Sequence, residues 1–306
     1  MSTVAEWLSK ITLSCFAFSY LLTMALEISR LFFRVAVRWA IILGMTASGL
    51  FAHVIYVWVD VHSALEVGTV PLADWHAWCA VAALAIAVVY FALAIRRPQN
   101  NIGIFLLPLV LALVLAAALV KDTSSFSAQE AFSLWGAIHG IALLAGTVTM
   151  TLGFATGVMY LIQSHRLKKK LAPRQGMRLP SLEWLQRYNS RCFFLSTILL
   201  AIGLFAGVIM NIIRQLPLEE GVVVSSAVLL FWLIAVLVFE YLYKPARQGR
   251  KVAYLTVASF VFLALVLGAV ILGRHAAAPG HPIVPGGSVD IQRPFTPSLS
   301  QREVMP

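Results

Sequence analysis

The chain has 306 residues, is 60% hydrophobic and only 12% charged, and carries a formal net charge of +10. Soluble globular domains hold about 25% charged residues, so this composition excludes an ordinary soluble domain, and its mean hydropathy of +0.86 excludes a disordered chain. Cys15, Cys79 and Cys192 form no C-x-x-C; this argues against a thiol–disulfide carrier and a cysteine-based zinc site and leaves them as small apolar filler.

A helix crosses the hydrocarbon core with about 20 mostly apolar residues. Eight stretches qualify in chain order: 7–26, 39–59, 75–95, 102–120, 132–162, 192–213, 222–243 and 252–272. The predicted fold class is all-α, a polytopic membrane protein of eight transmembrane helices. The first stretch does not read as a cleavable signal, because MSTVAEWLSK lacks a basic cluster. The fifth is about ten residues too long for a straight crossing, so it is expected to tilt, kink at its glycines or project beyond the bilayer. Residues 1–275 form the membrane domain. Residues 276–306, with six prolines, form a flexible external tail.

Seventeen of the 23 Lys and Arg residues fall in the four loops after the odd-numbered helices. By the positive-inside rule those loops are cytoplasmic and both termini face the outer, periplasmic side of the inner (plasma) membrane. The basic excess is thus a topology signal, and no nucleic-acid partner is expected. In the 163–191 loop, SLEWLQRYNSR puts Leu182, Trp184, Leu185 and Tyr188 on one face, which predicts a short helix lying at the cytoplasmic interface; a plain solvated connector is the alternative. Glu240 reads as the one acid near a cytoplasmic helix end, placed to pair with Lys244.

The seven histidines are the chemical signal, and six fall on the outer side. His53, in the second helix, and His139, in the fifth, both lie roughly 10 Å inside the outer boundary at 1.5 Å per residue. An imidazole at that depth needs a partner. It suits haem iron as an axial ligand, and also zinc or copper. No Asp or Glu falls in the outer half of a predicted helix to complete a carboxylate–histidine cage, so a large apolar cofactor held by one or two histidines fits better. His275 stands just beyond the last helix, as a third candidate or a solvated residue. His62, His76 and His281 read as ordinary loop residues. Trp58, Trp75, Trp78, Trp135, Tyr56 and Phe132 cluster at the outer interface, as an aromatic belt or a wall for a planar macrocycle. No Walker loop, Rossmann glycine motif or H-E-x-x-H is present, and no enzymatic activity is expected.

The stretch from His139, HGIALLAGTVTMTLGFATGVMYLIQSHRLKKK, resembles the helix that carries an external haem histidine in the cytochrome c assembly protein family. LPSLEWLQRYNSR is similar to that family's LPSLExLxxLNxR linker, and LGRHAAAPG resembles its LGLHS-type ending. The resemblance spans about residues 5–277. It implies non-covalent b-type haem, with His139 and His275 as the external axial pair and His53 matching an intramembrane histidine. It also implies partners among other membrane proteins of c-type cytochrome biogenesis. The family's tryptophan-rich W-G-x-x-W-x-W-D segment is replaced by NIIRQLPLEE at 211–220, and a second intramembrane histidine eight residues after a Trp is replaced by Glu240. The resemblance is therefore to a reduced, HemX-like branch, whose implied role is haem binding as an accessory or assembly factor. The other functions in view are a cofactor-free scaffold or regulator of a haem-biosynthesis enzyme, and a small-solute transporter.

Overall fold

The computed structural model describes residues 13–32, 37–67, 74–120, 133–170, 178–213, 221–242 and 249–276. Among them are eight α-helices and no strand: α1 Leu13–Ser29, α2 Arg38–Glu66, α3 Trp75–Arg96, α4 Gly103–Leu119, α5 Leu134–Lys168, α6 Leu182–Ile213, α7 Gly221–Leu242 and α8 Gly249–Ala276. Five of them, α2, α3, α5, α6 and α8, are long and apolar enough to cross a membrane; α1 and α4, with 17 residues each, are shorter apolar helices. Large apolar side chains such as Phe18, Phe51, Phe205 and Phe231 lie exposed on the outside. Water would penalise such a surface, whereas lipid matches it.

The helices form two groups. In the first, α1 packs on α2 and α4, and α3 on α2 and α4. Its core holds Phe16, Tyr20, Ile86, Tyr90, Leu107 and Val110. In the second, α5 packs on α6 and α8, and α7 on α6 and α8, around Met150, Phe193, Leu200, Leu233 and Leu263. Contacts of α3 and α4 with α5 join the groups.

Small residues set the approach of α5 and α6. A Cβ on Gly146 would come within 2.8 Å of Leu200, and one on Gly203 within 2.7 Å of Leu143. Association in lipid has no hydrophobic drive and depends on such close backbone contact. The glycines of α5 thus serve packing, and its 35 residues run as one α-helix, about 52 Å long at 1.5 Å per residue.

Three expectations change. The segment at 182–191 is not a separate interfacial helix: it is the first part of α6, with Leu185 fully buried in the core of the first group. Of the apolar face read from the sequence, Leu185 is turned onto protein, Leu182 and Trp184 are half-buried, and Tyr188 stays exposed. α2 runs seven residues past its predicted end and takes Asp60 and His62 into the helix. Glu240 is not alone among acids near that end of the bundle: Glu27, in the last turn of α1, is 1% exposed. Its carboxylate accepts from Arg30 at 3.1 Å and from the Tyr90 hydroxyl at 3.0 Å. The side chain of Glu240, residues 277–306 of the tail and residues 171–177 of the basic loop lie outside the described residues.

Candidate functional site

His139 sits in the second turn of α5, after Ser133, whose hydroxyl oxygen caps the helix by accepting from the Gly136 amide. Its Nδ1 is 2.7 Å from the carbonyl of Gly203 on α6. A carbonyl only accepts, so Nδ1 carries the proton, and in the neutral ring Nε2 holds the lone pair. The ring lies in a notch where a Cβ on Gly207 would come within 2.8 Å of it. Metal-bound histidines are oriented in this manner, by a second-nitrogen bond to a carbonyl that sets tautomer and ring angle.

An aromatic wall adjoins it. Trp78 of α3 lies against α5, with its ring 3.1 Å from the position of a Cβ on Gly140, the residue after His139. Trp75 stands edge-on to Trp78, ring centres 6.3 Å apart, and its buried Nε1 has no hydrogen-bond partner. Asp74 orients this start of α3 by accepting from the Ala77 amide at 2.6 Å.

His275 falls in the last turn of α8, its side chain outside the described residues. α5 and α8 pack antiparallel: Gly153 abuts Thr256, and Gly157 abuts Ala253. Continuing that register, His275 stands roughly five residues, about 8 Å, beyond His139 toward the same end of the pair. His53 is elsewhere. Its ring stacks on Phe16 at 4.0 Å and 6°, and Nδ1 lies 3.2 Å from the Tyr20 hydroxyl. It is 0% exposed within the first group. Its Nε2 makes no hydrogen bond of normal geometry, the Ala80 carbonyl being the backbone group that acts on the ring. Among the described residues α2 touches neither α5 nor α8, and the ring contacts of His53 are with Phe16 and Tyr20 of α1.

His76 is no loop residue. It lies in the first turn of α3 and is 5% exposed. Nδ1 donates to the Ala117 carbonyl at 2.8 Å, so Nε2 accepts from the Tyr56 hydroxyl at 2.7 Å. Both nitrogens are used in tying α3 to α4 and α2. His62 is exposed near the end of α2, 3.3 Å from Glu66, and His281 lies outside the described residues. The sequence does not reveal Tyr20, Phe16 or the Tyr56–His76–Ala117 link, because each joins residues on different helices and no spacing along the chain marks them. Among the described residues no three His, Cys, Asp or Glu side chains converge as a metal cage. The arrangement fits a group that takes one imidazole and an aromatic wall.

Apolar helices of membrane-crossing length with a lipid-suited exterior define the class: an α-helical membrane protein. No family model, no curated protein and no solved structure matches the chain.

Proposed function

We propose that the protein is an eight-helix inner-membrane protein, both termini outside, that binds haem as an accessory or assembly factor in c-type cytochrome biogenesis or haem handling. The observation that carries this reading is the bond from His139 Nδ1 to the Gly203 carbonyl, which leaves Nε2 as the basic nitrogen. His275, at the same end of the antiparallel α5–α8 pair, would be the second residue to hold the group. Trp78 and Trp75 supply an apolar wall on the α3 side, and the unpaired Trp75 Nε1 is a donor available to a carboxylate of the group. His53, enclosed by Phe16 and Tyr20, is assigned to packing of the first helix group. When bound, haem supplies the redox chemistry, tuned by its axial ligands. The chain's own residues hold the imidazole in one tautomer, exclude water and set the polarity around it.

The test is a reduced-minus-oxidised visible spectrum of the whole protein purified in mild detergent. A Soret band lost in His139→Ala and weakened in His275→Ala supports the reading. A colourless protein from haem-replete cells, or an unchanged band in His139→Ala, overturns it.

A further inference from the structure

The start of α6 carries a stacked array that runs from Trp184, packed on the first core, out to the exposed Tyr188 and Arg191. The Arg97 guanidinium lies 4.7 Å above the Trp184 ring, Trp184 and Tyr188 are 4.2 Å apart between centres, and Arg191 lies 6.0 Å from the Tyr188 ring. The array is braced from below. The Asn101 amide donates to the Arg178 carbonyl at 2.8 Å, and the Arg178 amide donates back to Asn101 Oδ1 at 3.2 Å. These bonds tie the approach to α6 to the α3–α4 turn.

The cations differ in what occupies them. Arg187 is paired with Glu183 one turn away. Arg97 covers Trp184 from the α3 side. Arg191 is exposed, and no described carboxylate forms a salt bridge with it. Directly along the helix from Arg191 run Leu195, Ile198, Ile202 and Phe205, exposed by 49, 39, 46 and 66%. Their spacing of four and three residues keeps them on one face. From Arg191 to Phe205 the stripe is roughly 20 Å long, more than the ~15 Å depth of one leaflet.

We propose that Arg191 and this stripe bind one anionic phospholipid. The guanidinium takes the phosphate, for which its planar fork is suited. Tyr188 lies at headgroup level, where an aromatic ring with a polar tip is stable. One acyl chain follows Leu195, Ile198, Ile202 and Phe205. A soluble phosphate would use the guanidinium and leave the stripe idle; a zwitterionic lipid would use the stripe and bring a choline cation toward Arg191. The continuity of an exposed cation, with no salt bridge to a described carboxylate, and an apolar track on one helix face selects an anionic lipid. This site depends on the chain being in a membrane and is independent of haem.

The experiment follows thermal unfolding of the full chain in detergent while dioleoylphosphatidylglycerol, dioleoylphosphatidylcholine or glycerol phosphate is added. The phosphatidylglycerol is expected to stabilise saturably, at about tenfold lower concentration than the phosphatidylcholine, as a charge-assisted phosphate contact requires. Glycerol phosphate is expected to do nothing. Arg191→Gln should abolish the preference, while Arg187→Gln keeps it. Ile198→Ser should weaken phosphatidylglycerol binding from the acyl side, which retains a test if Arg191→Gln fails to fold. Equal effects of the two lipids, an unchanged preference in Arg191→Gln, an unchanged affinity in Ile198→Ser, or equal stabilisation by glycerol phosphate each overturns the proposal.

Discussion

Two imidazoles at similar predicted depth, His53 buried and His139 half-buried, have different surroundings, and the contrast sets their expected mutational behaviour. His139 has one nitrogen bonded to Gly203 and a ring in contact range of Gly207. Gly207→Ala would put a methyl 2.8 Å from that ring, so the ring must move. The expected cost is about 1–3 kcal/mol of stability from overpacking. A weakened or shifted Soret band should accompany it, read in the same purified sample. His53 is instead a packing residue, stacked on Phe16 and bonded to Tyr20. His53→Ala opens a cavity and leaves the Tyr20 hydroxyl without that partner. A loss of about 2–4 kcal/mol in unfolding free energy is expected, with the haem spectrum unchanged. Loss of haem in folded His53→Ala protein would show that the separation of the two histidines is misread. Both residues were legible in the sequence as intramembrane histidines. Their roles were not, because a helix's rotation about its axis decides whether a ring meets a tyrosine or a glycine notch.

Among elements, the end of α1 shows how the first group is locked. Glu27 joins its own helix to Arg30, to Tyr90 of α3 and, by close contact, to Gly103 at the start of α4, where a Cβ would meet Glu27 Cγ at 2.8 Å. Arg30 in turn donates to the Pro98 carbonyl in the α3–α4 turn. Removing one partner of a buried pair leaves an uncompensated charge. Glu27→Ala should therefore cost about 3–5 kcal/mol, and Glu27→Gln, which keeps an acceptor for Tyr90, clearly less. Chemical unfolding in detergent separates the two; equal and small losses would mean that the pair is solvated. This acid was visible in the sequence but was passed over, since hydropathy alone gives no sign that a terminal-turn Glu points inward. α6 teaches the complementary lesson. Its first ten residues read as amphipathic, and they are, but Leu185 is sealed in the protein core while Tyr188 on the same side stays exposed.

For the whole molecule, the eight apolar stretches and the clustering of Lys and Arg specify an orientation that labelling can check. In a protein lacking Cys15, Cys79 and Cys192, Gln175→Cys is expected to react only with a reagent admitted to the cytoplasmic side. Ser288→Cys should react in intact cells stripped of their outer barrier. The reverse pattern would invert the topology and move the His139 end to the cytoplasm. The two-group organisation adds a constraint that no linear reading contains. The candidate histidines come from the second, fifth and eighth helices; α2 packs in the first group, while α3 and α4 make the bridge to α5. The wall beside His139 consequently comes from Trp78 and Trp75 of α3.

Composition, apolar run length and charge placement were enough to define an all-helical membrane chain and to locate most helix ends within a few residues, because lipid acts on each segment through its summed transfer energy. That sum is additive along the chain and needs no knowledge of neighbours. Which histidine is sealed and which has its tautomer fixed by a carbonyl were decided by lateral packing. Those outcomes turn on glycine notches and hydrogen bonds between residues such as His139 and Gly203, 64 positions apart, and only the folded arrangement of helices brings them together.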